Sequence, residues 1–217
     1  MLVKIIIGAF LCLQFYGCAV LSDWARVQSE QAHSVSKGQV LVQKQRLYSA
    51  VVPDSYMYAL FGKPLPKSLS LHYQDAGLAS EGSYYVLVFD RKGCRAIGGL
   101  PEVFRKCFLG KFLKQRRHLK TEVEILQEKE TVWKTYKGLY VEFFIPGDIK
   151  SSHNGRFVYV KRNNFAYAAL MIEGRGEYFL IGYADSVEPA QVNSGVKIPA
   201  RVRDKFNSFL EGVTLYP

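Results

Sequence analysis

From residue 39 onward, apolar positions alternate with polar ones in short runs, which is the period of half-buried strands. Val40 and Val42, then Leu47, Tyr48, Val51 and Val52, predict one or two strands ended by Pro53-Asp54. Tyr56, Met57, Ala59, Leu60 and Phe61 predict a helical turn or two before Gly62-Lys63-Pro64 breaks it. Leu69, Leu71 and Tyr73 alternate in a strand, and Gly77 to Gly82 reads as a turn. Tyr84 to Phe89, YYVLVF, is continuously apolar and rich in strand formers, so it predicts a central strand buried on both faces before Asp90-Arg91-Lys92-Gly93 turns the chain.

The period then lengthens. Pro101 opens a helix in which Phe104, Cys107, Phe108, Phe112 and Leu113 recur at helical spacing. Its other face is basic: Arg105, Lys106, Lys111, Lys114, Arg116, Arg117 and Lys120. Strands return over Thr121 to Leu126, Thr131 to Tyr136, Leu139 to Ile145, Phe157 to Arg162, Phe165 to Ile172 and Glu177 to Ala184. Lys137-Gly138, Asn163-Asn164 and Gly174-Arg175-Gly176 offer residues that tolerate positive φ and predict hairpins. Gly147 to Gly155 reads as a longer polar loop. A closing helix over Ala200 to Glu211 buries Val202, Phe206, Phe209 and Leu210, turns Arg201, Arg203, Asp204, Lys205 and Asn207 to solvent, and stops at Gly212. Together these predict an α+β fold over 39–217, an antiparallel β-sheet meander with helices packed on it as a single domain.

The beginning of the chain follows another rule. Lys4 precedes a run from Ile5 to Leu13 that is apolar apart from Gly8, the build of a secretory signal. At its end, Phe15-Tyr16-Gly17-Cys18 resembles the lipobox of bacterial lipoproteins, with Phe15 where leucine is usual and a bulky Tyr16. The resemblance implies that residues 1–17 are removed and that Cys18 carries the acyl chains, palmitate among them. At roughly 0.8 kcal/mol per buried CH₂, two or three chains hold a protein on a membrane where one does not. An ordinary cleaved signal and an uncleaved helix remain open. Ile5 to Leu21 just reaches the length that spans a bilayer, with Gln14 against it. Residues 18–38 then form the lipidated cysteine and a polar tether. Ala19 is not the aspartate of inner-membrane retention, so the expected address is the cell envelope, on the outer membrane facing the periplasm if the source has one.

The 217 residues hold 29 Lys and Arg against 19 Asp and Glu. Removing residues 1–17 takes away Lys4 and no acid, so the mature chain keeps a formal charge of +9. In an envelope the polyanions met first are anionic lipid and polysaccharide, so these or an envelope protein are the expected partners and nucleic acid is not. The basic face from Arg105 to Lys120 is either solvated or a contact for such an anionic surface. With 48% hydrophobic and 14% aromatic residues, wholesale disorder is excluded.

Of four cysteines, Cys94 and Cys107 remain after Cys12 and Cys18 are accounted for. They are a disulfide in an oxidising compartment or two buried thiols. His33, His72, His118 and His153 are scattered, and no ligand spacing predicts a metal or other cofactor. Ser151, Ser152 and His153 stand near Asp148 without a nucleophile elbow. Glu122, Glu124 and Glu142 are the acids a glycosidase would need, and alternation places Glu122 and Glu124 together on the solvent side of one strand. No catalytic residue is therefore assigned.

The order of elements is similar to the PsbP, Mog1 and DcrB group, through the early strand ending at Val52-Pro53, YYVLVF and the following helix, GLYVEFFIP, RFVYVKRNNFAYAALMIEG, EYFLIGYA and RDKFNSFLEGV. The resemblance implies an antiparallel sheet flanked by helices and an accessory or binding role. The expected function is a lipid-anchored envelope protein without enzymatic activity. The alternatives are an envelope hydrolase using residues 147–155 and a carrier with an apolar cavity between sheet and helix.

Overall fold

The computed structural model describes residues 32–62, 65–73, 82–94, 98–113, 123–145, 148–153, 156–161, 164–187 and 197–217. The chain divides into a unit Met1–His33, of which residues 32 and 33 are described, and a unit Ser34–Pro217 that carries the architecture below. In chain order come β1 (Ala32–Val35), β2 (Val40–Val42), β3 (Tyr48–Val51), β4 (Met57–Phe61), β5 (Leu69–Tyr73) and β6 (Ser83–Asp90). A 3₁₀ turn, Lys92–Cys94, leads to α1 (Leu100–Val103), which continues in wider π geometry over Phe104–Leu113. Then follow β7 (Glu124–Trp133), β8 (Tyr136–Ile145), β9 (Asp148–His153), β10 (Arg156–Lys161), β11 (Asn164–Gly174), β12 (Glu177–Val187), α2 (Ala200–Glu211) and β13 (Val213–Leu215).

The main sheet has the order β1-β4-β5-β6-β12-β11-β8-β7, and β13-β3-β2 and β10-β9 form smaller sheets. Every pairing with a described register is antiparallel. Strand neighbours follow chain order in β4-β5-β6, in β11-β12 and in β7-β8. The chain leaves that order where β1 lies against β4, where β12 lies against β6 and where β11 lies against β8.

Alternation sorts the central strands between two cores. On one face Tyr84, Val86, Val88, Phe179, Ile181 and Leu170 meet Val202, Phe206 and Phe209 of α2, together with Tyr48, Ala50, Val213 and Leu215 of the small sheet. On the other, Leu87, Phe89, Val141, Phe143 and Leu180 meet Val103, Phe104, Cys107 and Phe108. Phe104 and Phe108 present their ring planes to Phe143 edge-on, at centroid distances of 5.6 and 5.5 Å. Such aromatic contacts add about 1 kcal/mol each beyond area burial. YYVLVF is accordingly buried on both sides because it is covered on both sides.

Several expectations are corrected. Residues 57–61 are strand β4, not helix: Met57 and Ala59 are fully buried while Tyr58 and Leu60 are half-buried, a period of two in a stretch that is apolar throughout. Ala32–Val35, within the stretch read as a tether, is strand β1, and its Val35 is buried. The two strands read from Thr121 to Tyr136 are one, β7, and the chain turns at Lys134-Thr135. Gly138 lies inside β8, where a Cβ would come within 2.9 Å of Leu170 Cδ1, so its missing side chain serves packing and not turning. The polar loop read at Gly147 to Gly155 is largely the β9–β10 hairpin, with Asp148 opposite Lys161 and His153 opposite Arg156. Since β10 pairs with β9, the expected hairpin at Asn163-Asn164 does not join β10 to β11. At Gly174 to Gly176 the turn is as expected, with positive φ at Arg175 and Gly176 closing the β11–β12 hairpin. Gly212 ends α2 in right-handed backbone at φ −78, so the left-handed cap is absent, and what its position demands is space beside Val51.

Candidate functional site

α2 begins where Pro199 presets the backbone, and its buried residues Val202, Phe206 and Phe209 fix which way the helix faces. Three cations flank that apolar stripe, and each reaches a carboxylate, two on sheet strands and one in the β3–β4 connection. Arg201 Nε lies 3.3 Å from Asp185 Oδ2, Arg203 Nη1 lies 3.5 Å from Glu142 Oε1, and Lys205 Nζ lies 2.8 Å from Asp54 Oδ2. Arg201 also donates to the Ser186 carbonyl at 2.8 Å. The face read as solvated is therefore half engaged in seating the helix.

The densest of these contacts surrounds Asp54, just past Pro53. Its Oδ2 accepts from the hydroxyls of Tyr73 and Tyr84, the latter at 2.7 Å, as well as from Lys205. Lys205 donates in turn to Tyr73 Oη at 2.7 Å and lies 5.3 Å from that ring's centroid. Tyr84 is buried, with Tyr183 at 4.5 Å and Phe209 at 5.0 Å between ring centroids. Asp185, hydrogen-bonded to Tyr183, also accepts the Gly82 amide at 3.2 Å. Asp54 and Lys205 keep 28% and 41% of their side chains exposed, so the network opens to the surface along the N-terminal half of α2.

The electrostatics hold Asp54 and Lys205 in their charged forms and Tyr73, Tyr84 and Tyr183 in their neutral form. Burial alone would raise Asp54, but the hydrogen bonds from Lys205, Tyr73 and Tyr84 and the Lys205 charge outweigh it, and the carboxyl sits below its usual range. Burial likewise opposes charge on Lys205, yet Asp54 and Tyr73 hold its ammonium above its usual value. Tyr73, Tyr84 and Tyr183 are pushed up first by burial, and then by the neighbouring carboxylates and, for Tyr84, by its hydrogen bond with Tyr73. A general acid or base works best when its pKa is near the working pH. This network is instead a fixed set of charges and donors, suited to presenting a surface.

The second carboxylate, Glu142, is 1% exposed and accepts the Tyr140 hydroxyl at 2.6 Å. Alternation puts it on the α2 side of β8 with Tyr140 and Phe144. Glu124 is exposed on β7, and Glu122 lies outside the described residues. A charged residue at the core parity of GLYVEFFIP was the one sign of this network in the sequence.

The residues singled out from the sequence do not come together here. Cys18, Lys114, Arg116, Arg117 and Lys120 lie outside the described residues, and Lys111 falls on the π segment. Arg105 is ion-paired with Glu128 and Lys106 with Glu102, on the face opposite α2. Cys94 and Cys107 have Cα atoms 5.7 Å apart, within the span of a disulfide. In the β9 hairpin, Asp148 and His153 stand at opposite ends of a strand, about 16 Å apart along the backbone. That separation is too long for the acid–base pair a hydrolase would need. No group of three or more acidic, histidine or cysteine side chains that could hold a metal ion occurs among the described residues.

Taken with the sheet order, these features define an α+β protein with an antiparallel sheet packed between helices, a Mog1-like fold. No family model matches the chain, and no curated protein does. Among solved structures it is similar to the Saccharomyces cerevisiae Ran-binding protein Mog1p, with 13% identity and a TM-score of 0.53 over 83% of this chain and 96% of that one. It is also similar to a Mog1 single-substitution mutant, with 13% identity and a TM-score of 0.52 over 82% and 95%. Cyanobacterial PsbP from Synechocystis sp. PCC 6803 aligns at 10% identity and a TM-score of 0.48 over 84% and 95%. The likeness to Mog1 is one of fold, and it agrees with the architecture implied by the sequence resemblance.

Proposed function

We propose that this chain is a non-enzymatic accessory protein of the cell envelope that binds a protein partner on the surface between the N-terminal half of α2 and the Asp54 network. The observation carrying this reading is that Tyr73, Tyr84 and Lys205 all donate to the one Asp54 carboxylate oxygen while Arg201, Asp54 and Lys205 stay accessible. Aromatic and Arg side chains held in place beside a surface are enriched among interface anchors. The yeast neighbour bears the name of a Ran-binding protein, and a shared fold supports protein partnership without naming the partner. Arg201→Glu reverses the most exposed charge and leaves the Asp54 network whole. Partners cross-linked to the wild-type protein in envelope extracts should be lost from Arg201→Glu and kept by Lys129→Glu on β7. If no protein distinguishes the two variants, the binding reading falls.

The anchoring part rests on Phe15-Tyr16-Gly17-Cys18, with the outer membrane, facing the periplasm, as the proposed address. Radioactive palmitate should label the wild type and not Cys18→Ser, which should also leave the membrane fraction. Unchanged label and fractionation would remove the anchor from the proposal.

A further inference from the structure

The end of the sheet formed by the hairpin turns carries a second surface. Among the described residues, four other than glycine have positive φ, and three of them are basic and stand in hairpin turns. They are Arg46 between β2 and β3 (φ 52), Lys134 between β7 and β8 (φ 53) and Arg175 between β11 and β12 (φ 50). Glycine or asparagine would sit there with less strain, so the side chains are retained against a backbone cost.

These turns converge. Arg175 Nη1 donates to the Arg46 carbonyl at 3.0 Å, and Lys134 Nζ donates to the Val213 carbonyl at 2.6 Å, on the strand that pairs with β3. The pairing of Glu177 with Asp90 brings Arg91 and Lys92 alongside, around a depression of about 490 Å³ lined by Asp90, Arg91, Lys92, Gly176 and Glu177. Lys137 lies across from Val132 on the next hairpin. Of the acids on the same strand ends, Glu173 is paired with Arg91 and Glu177 with Lys67, while Asp90 accepts the Lys92 amide. Lys134 and Arg175, by contrast, donate to backbone carbonyls, which orient them, and neither is ion-paired among the described residues.

Apolar and aromatic groups share this end. Val132 is 70% exposed, Trp133 stacks on Tyr136 at 6.2 Å, and Lys134 Nζ stands 4.6 Å from the Trp133 ring centroid. Cations around an amphipathic Trp–Tyr pair are the chemistry of a membrane interface. From β6 through β12, β11 and β8 to β7 the strand ends form a row about 19 Å wide, which suits a planar array of headgroups better than a single extended strand of nucleic acid. We propose that this hairpin end docks on an anionic lipid surface, with Arg46, Lys134, Lys137 and Arg175 meeting headgroups and Val132 and Trp133 entering the interface. The basic face of the π segment fits this role less well, since Arg105 and Lys106 are neutralised by Glu128 and Glu102.

The test compares partitioning of the full chain onto vesicles of phosphatidylglycerol with phosphatidylcholine and onto phosphatidylcholine alone. An N-terminal anchor contributes to both, so the ratio reports headgroup charge. Wild type should favour the anionic vesicles by about tenfold or more at low salt, and the preference should fade as salt rises. The variant Arg46→Asn/Lys134→Asn/Arg175→Asn keeps residues that accept positive φ and should bring the ratio close to one. Arg105→Gln/Lys106→Gln should leave it unchanged. With Trp24→Phe, emission from Trp133 should shift to the blue on anionic vesicles only. A wild-type ratio near one, an equal loss in the Arg105/Lys106 variant, or tighter binding to a DNA oligonucleotide than to the vesicles would each overturn the proposal.

Discussion

Three donors converge on one oxygen of Asp54, and two of them come from a tyrosine and a lysine that also bond each other. Because Lys205 is 41% exposed, solvent screens the ion pair, and its share of stability is about 1 kcal/mol or less. The buried Tyr84 hydroxyl matters more, since Asp54→Ala would leave it without its acceptor at a cost of about 2 kcal/mol. Asp54→Asn keeps an acceptor and should cost about 1 kcal/mol in urea unfolding. The pH dependence has a definite sign. Asp54 has a depressed folded pKa, so its contribution is present above its ordinary 3.8 and is lost as pH falls through the folded value. Lys205 has a raised folded pKa, so its contribution is present below its ordinary 10.5 and is lost as pH rises through the folded value. The stability gap between wild type and Asp54→Asn should therefore be flat between those values and narrow outside them. Tyr85 gives the opposite case. Its hydroxyl is buried without a hydrogen-bond partner among the described residues, and its ring occupies the space a side chain at Gly182 would take. Tyr85→Phe should leave stability unchanged or raise it by up to about 1 kcal/mol, and a clear loss would reveal a hidden partner.

At the scale of elements, what a sequence discloses depends on whether apolar period and burial coincide. α2 runs from Ala200 to Glu211 as its spacing predicts, because its polar and apolar faces are distinct. β4 was illegible as a strand because Tyr58, Leu60 and Phe61 are as apolar as the buried Met57 and Ala59. The Lys134-Thr135 turn carries no glycine, proline or asparagine to announce it, whereas Gly138 announces a turn that does not exist. The site was hidden for a related reason. Arg201, Arg203 and Lys205 have the spacing of a solvated face, and their acids lie 16, 61 and 151 residues away in sequence. Only Glu142, a charge amid apolar neighbours, stood out. Cys94 and Cys107 were visible as a pair though not in their state, and we propose that they are oxidised. The bridge would tie the 3₁₀ turn after β6 to the π segment across a separation of 13 residues. Replacing both by alanine should cost about 3 kcal/mol. Mass spectrometry of the unreduced protein should find neither thiol alkylated, and two reactive thiols would refute the bridge.

For the whole molecule, the consequence of having a core on each face is that the chain's last residues become structural. β13 follows α2 without a loop, and its Val213 and Leu215 are buried while Thr214 is exposed. It pairs with β3, its Val213 carbonyl receives Lys134, and the Tyr216 amide donates to the Leu47 carbonyl at 3.2 Å. The small sheet thereby closes over Tyr48, which is fully buried and meets Phe179 edge-on at 6.3 Å. Truncation after Gly212 would remove two buried aliphatic side chains, whose burial is worth about 2 kcal/mol each, and would break the pairing with β3. A total of about 5 kcal/mol is comparable with the stability of many domains. The truncated chain should melt lower by on the order of 10 °C. Hydrogen exchange should accelerate first in β3 and β2, because they lose their cover, and later in β6, β11 and β12, which keep α1 and the π segment on their other face. Uniform acceleration across the sheet would instead show that the two cores unfold as one cooperative unit. A truncated protein as stable as the full chain would show that β13 contributes nothing to the fold.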